Sequence, residues 1–139
     1  MHEINRRDFI QKGSMLTLGA GIMTTPAVIM RNHEPLGKIF VHHVFFWLKE
    51  PGNSDHQKHF ADALKELVTI ESIKSYHIGR PADTRREVID SSYQFSLLTI
   101  FEDKAAHDIY QVHPVHDLFR KVADELCSKV TVYDSVNGS

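Results

Sequence analysis

The sequence predicts an α+β domain with the element order β-α-β-β-α-β over residues 38–136. Three observations point there. Residues 39–48 form an unbroken β-branched and aromatic run. Two stretches, around Phe60 and around Leu118, carry apolar residues at helical spacing. Two further runs, residues 93–101 and 129–136, alternate with period two.

The first strand ends at Pro51-Gly52. Ser54 followed by Gln57 fits a capping box, with Ser54 as N-cap. Phe60, Ala63, Leu64, Leu67 and Val68 then mark a helix over residues 55–70. A second strand is expected at 73–78, stopped by Gly79-Arg80-Pro81, and the polar stretch to Ser92 reads as an exposed loop. The third strand sets Tyr93, Phe95, Leu97, Thr99 and Phe101 on one face, the other being partly polar. Asp103 caps a helix carrying Ala106, Ile109 and Tyr110. Pro114 breaks it, because the residue before a proline avoids helical geometry. Helix resumes near Val115, with Leu118, Phe119, Val122, Ala123 and Leu126 on one side, before the last strand. This order is the ferredoxin-like split βαβ arrangement.

Two helices cover only one face of a four-stranded sheet. The first strand nonetheless reads apolar on both: Ile39, Val41, Phe45 and Trp47 on one face, Phe40, Val44, Phe46 and Leu48 on the other. Each large apolar side chain left wet forfeits ~1.5–3 kcal/mol. Stacking two such faces across a two-fold axis buries both, so a homodimer is expected.

The chain's 139 residues allow one such domain and no second of ordinary size. With 42% apolar and 24% charged residues it has a globular balance. A net charge of −2 excludes a general basic field for nucleic acid. A single cysteine, Cys127, excludes an internal disulfide and reads as a buried small hydrophobe.

Residues 1–30 differ from the rest. Arg6-Arg7 and Phe9 precede residues 13–30, which carry no charge and are diluted by glycine and threonine. This resembles a twin-arginine export signal. The resemblance implies a periplasmic or otherwise exported protein, cleaved after Ala27 or held at the membrane by a retained leader. Residues 31–37 read as a linker.

His43 in an aromatic first strand, Tyr93, Phe101-Glu102-Asp103, Tyr110, and His113-Pro114-Val115-His116 with Phe119 resemble the Dabb family of stress-responsive dimeric α/β-barrel proteins. The similarity spans residues 38–136. It implies a ferredoxin-like protomer and a dimer whose two sheets form a barrel. In a plant polyketide cyclase of this family, the catalytic histidine and its partner tyrosine fall on His116 and Tyr110. A second pocket histidine of that enzyme falls on Phe95, a departure from its pattern.

Three functions follow as expectations. The first is an exported dimer binding a small, largely apolar or phenolic ligand near Tyr110 and His116, with His43, Phe95, His113 and Phe119 as further contacts. The second is a cyclase or lyase, with His116 as general base and Tyr110 holding a carbonyl oxygen. The third is a stress-protective dimer without ligand. His113, before a proline, is expected to bond backbone groups freed at the helix break. His43 is expected in the core, with His42 pointing oppositely to the dimer face, and His56, His59, His77 and His107 are expected to be solvated. His113-x-x-His116 with His107 offers imidazole nitrogens, but the proline spoils regular spacing and no zinc motif is present. No cofactor and no metal are expected. There is neither a Gly-rich phosphate loop nor a Gly-x-Ser-x-Gly elbow.

Overall fold

A computed structural model describes residues 32–138. The expected leader, residues 1–30, lies outside the described residues. The elements are β1 (Phe40–Leu48), α1 (Ser54–Leu67), β2 (Ser75–Gly79), β3 (Phe95–Phe101), α2 (Lys104–Gln111), α3 (Pro114–Leu126) and β4 (Cys127–Val136). The strands form one sheet in the order β2-β3-β1-β4, with every neighbouring pair antiparallel. This is the ferredoxin-like order, its second helix divided at Pro114.

The helices lie on one face. There Phe60, Leu64 and Leu67 of α1 and Phe119 and Leu126 of α3 close over Phe46 of β1 and Phe95, Leu97 and Phe101 of β3. Edge-to-face contacts knit this core, with Phe46 at 5.0 Å from Phe60 and 5.7 Å from Phe119 between ring centroids. Cys127 is buried as expected, and burial pushes its thiol up to about 11.

Strand β1 settles a parity that its composition leaves open. Phe40, His42, Val44, Phe46 and Leu48 are buried, while Val41, His43, Phe45 and Trp47 are only half-buried. The expected places of the two histidines are therefore exchanged: His42 faces the helices and His43 the open side. Register decides this, because His42 sits opposite Thr99, a member of β3's buried set, and His43 opposite Leu98. The open side also presents Ile100 and Tyr133, so it is apolar over several strands.

Several boundaries shift. The N-cap of α1 is Asn53, not Ser54: its Oδ1 accepts from the backbone N–H of Asp55 and of His56, both at 3.1 Å. Gln57 instead donates to the Pro51 carbonyl at 2.5 Å. Helix α1 ends at Leu67, though Ile70 stays buried beyond it. Strands β2 and β3 start two residues later than expected and β4 two earlier. Among the described residues, no helix is long and apolar enough to cross a membrane.

Candidate functional site

The site is built at the corner between α2 and α3. Asp103 starts α2 by accepting the Ala106 N–H at 2.9 Å. Pro114 limits the helix, and His113 before it takes the extended conformation, φ −69° and ψ 139°. His113 Nδ1 accepts the Val115 N–H at 3.1 Å and so caps α3, which opens on Pro114. This is the backbone role expected of it. The other ring nitrogen, Nε2, lies 3.7 Å from Glu71 and away from the site.

The corner turns Tyr110, in the last turn of α2, against His116, in the first turn of α3. Their rings meet edge to face, centroids 4.6 Å apart. Both are buried. Beside them a cleft of ≈ 200 Å³ lies between the corner and the β1–β4 half of the sheet. Val44, Phe46, Phe119, Ala123, Val130 and Val132 give it apolar walls, and His42, Tyr110, Gln111, His116, Arg120 and Asp124 supply polar groups. It opens along β4, an edge strand whose Val130 and Val132 are each left 46% exposed.

Burial, assisted by the Arg120 guanidinium, pushes His116 down to about 4, so its imidazole is neutral at pH 7. Its Nδ1 is shut off from water with no hydrogen-bond partner. Burial likewise holds the Tyr110 phenol above its ordinary value, opposed in part by Arg120. Arg120 is fixed to the end of α2, donating to the Gln111 carbonyl at 3.0 Å and to Gln111 Oε1 at 3.1 Å.

Of the residues the sequence pointed to, Tyr110, His116 and Phe119 share the cleft. Three others do not line it. His43 stands on the open sheet face against Phe45, ring centroids 4.4 Å apart. Burial and then its neighbours His77 and His42 lower its pKa. Phe95 lies in the core against Phe60, under the Arg80 guanidinium at 4.4 Å. His113 is the cap already described. A larger groove of ≈ 310 Å³ opens between α1 and α3 at His59 and Leu118, and it includes neither Tyr110 nor His116.

Sequence reasoning missed two residues. His42 joins the cleft wall and its Nδ1 is 2.6 Å from Asp134 Oδ1. His107, expected to be solvated, is buried and stacks on Phe40 at 4.4 Å. The inner face of α2 carries His107 and Tyr110, three residues apart, whereas Ile109 is exposed. Burial is the main cause of a lowered His107 pKa, followed by the nearby His42. The i, i+3 spacing with Tyr110 was the available signal. His59 and His77 are exposed, as expected, and His56 is half-buried.

The fold and this corner define a ferredoxin-like α+β domain with one histidine–tyrosine cleft. Residues 40–137 match the Stress responsive A/B Barrel Domain, and the chain belongs to that family, Dabb. It is similar to a Dabb family protein of ferredoxin-like fold from Mesorhizobium loti, at 30% identity and TM-score 0.62, covering 73% of this chain and 99% of that one. A dimeric ferredoxin-like protein from Thermobifida fusca matches at 19% identity and TM-score 0.60, covering 76% and 100%. A hydroxynitrile lyase from Passiflora edulis matches at 20% identity and TM-score 0.61, covering 73% and 96%. At such identities the last two establish the fold alone. No curated protein matches the sequence.

Proposed function

We propose that this chain is an exported, homodimeric Dabb protein whose protomers each bind a small, largely apolar ligand beside Tyr110 and His116. The observation that carries the reading is the cleft: ≈ 200 Å³, walled by aliphatic and aromatic side chains and edged by a few polar ones, the usual make-up of a small-molecule site. Apolar walls favour burial of a hydrocarbon or aromatic body, and the imidazole and phenol suit one polar group such as a phenolic hydroxyl. The open cleft weighs against a purely structural dimer, which would fill this space. Export rests on the leader's resemblance to a twin-arginine signal, and dimerisation on the apolar open sheet face, in keeping with the dimeric fold relatives.

The test is a binding titration with a panel of alkylphenols, followed by amide chemical shifts. Saturable binding that perturbs α2 and α3, and weakens at least tenfold in His116→Ala with the melting transition still cooperative, is the expected result. Binding that is absent, or equal in the wild type, His116→Ala and Tyr110→Phe, contradicts it.

A second reading, proton transfer with His116 as base, is favoured by one observation: a neutral imidazole held against a tyrosine at a cleft. A pKa near 4 makes the base form dominant at pH 7 but intrinsically weak, so a strong requirement falls on Tyr110 to stabilise the developing oxyanion. In this reading a found substrate loses turnover in His116→Ala and Tyr110→Phe alike while still binding.

A further inference from the structure

We infer that His42, His107 and Asp134 form a binding site for one divalent transition-metal ion at the edge of the cleft. One donor atom from each residue lies within 4.8 Å of the other two. The three come from β1, α2 and β4, so the whole fold holds them together. Around a tetrahedral ion with bonds of about 2.0–2.1 Å, neighbouring donors sit roughly 3.4 Å apart. Most of the approach is thus already made, and small side-chain rotations complete it.

The surroundings suit such a site. The two imidazoles are only 4% and 8% exposed, and their rings lie 4.9 Å apart. Two buried imidazoles so close cannot both be charged without repulsion, whereas as neutral ligands they share an ion. His42 Nδ1 and Asp134 Oδ1 share a hydrogen bond at 2.6 Å, and an ion held by both would replace the shared proton and spread them to the ligand spacing. Gln111 Nε2 is 3.1 Å from His107 Nε2, and Asp108 is 3.8 Å from His107 Nδ1. With Nε2 taking the ion in place of the Gln111 amide proton, Nδ1–H faces the Asp108 carboxylate, which orients the ring as metal-bound histidines need. Asp134, 43% exposed, gives a way in from solvent.

Two imidazoles and one carboxylate select zinc, cobalt, nickel or ferrous iron over calcium or magnesium, which prefer all-oxygen shells. Three protein ligands leave a position for water or a ligand. His42 also lines the cleft, so the ion would lie at the cleft's margin. Metal binding here does not depend on the phenol reading. His107 and Asp134 do not line the cleft, so their variants can lose metal while a phenol still binds.

The test is titration of the full chain with Co²⁺, read by visible absorption, and with Zn²⁺, read by calorimetry. The wild type is compared with His107→Gln and Asp134→Asn, and with His59→Gln as an exposed control. One ion per chain, d–d bands of tetrahedral or five-coordinate cobalt, and affinity at least tenfold weaker in both site variants but unchanged in the control are expected. If His107→Gln does not fold, Asp134→Asn decides, since that side chain is partly exposed. Absence of binding by the wild type, or affinity unchanged in either folded site variant, overturns the inference.

Discussion

His116 ties the site's chemistry to the stability of the fold. Its folded pKa, about 4, lies below the unfolded value of about 6.5. Above pH 6.5 the ring is neutral in both states and contributes no pH dependence. As pH falls, the unfolded chain takes up the proton first, so stability is lost between about 6.5 and 4. A tenfold difference in proton affinity between the two states is worth ~1.4 kcal/mol, which sets an upper limit of ~3.5 kcal/mol for this one ring. His43 and His107 are shifted the same way and add to the trend. Denaturant unfolding across this range is expected to show falling stability, with a shallower slope in His116→Leu. An unchanged slope in that variant would assign the effect elsewhere. Tyr110 separates shape from chemistry. Tyr110→Ala, emptying a fully buried aromatic site, is expected to cost ~3–5 kcal/mol, whereas Tyr110→Phe keeps the ring and affects ligand more than fold. Both residues were legible in the sequence because a proline placed between two histidines marks a turn. His42 and His107 were not. A strand apolar on both faces hides its own parity, and on a short helix the i, i+3 spacing of His107 with Tyr110 competes with that of Ala106 with Ile109.

At the level of elements, the corner between α2 and α3 does the positioning. Pro114 forces the break, His113 caps the next helix, and the two together set Tyr110 against His116. His113→Ala is expected to lower stability by ~1 kcal/mol, the typical worth of an N-cap, while leaving phenol affinity unchanged. Reduced affinity at unchanged stability would make His113 a ligand contact and contradict its role as a cap. Asn53 caps α1 in the same manner, and Asn53→Ala is expected to cost a similar ~1 kcal/mol. The element order could be read from the chain because each element carries its own period and its own stop signal. Ends were less legible. Asn53 and Ser54 are both good caps, and which one bonds the free N–H groups depends on where the loop from Pro51 delivers the backbone.

For the whole molecule, the unequal faces of the sheet matter most. One is covered by helices except along β4; the other presents Val41, His43, Phe45 and Trp47 with Leu98, Ile100 and Tyr133, a contiguous apolar patch of the kind that marks an interface. The need for cover on both faces was visible in the sequence of β1, since no polar alternation breaks it. Which histidine that cover would meet was not, because it depends on the register with β3. A charge at the centre of this face, Phe45→Asp, is expected to give monomers that keep their secondary structure. Sedimentation equilibrium of the purified wild-type chain at micromolar concentration is the most direct measurement. A mass of twice that of the purified protomer, 15.9 kDa where the leader is retained, is the predicted result, and a monomer with this face in water would contradict it.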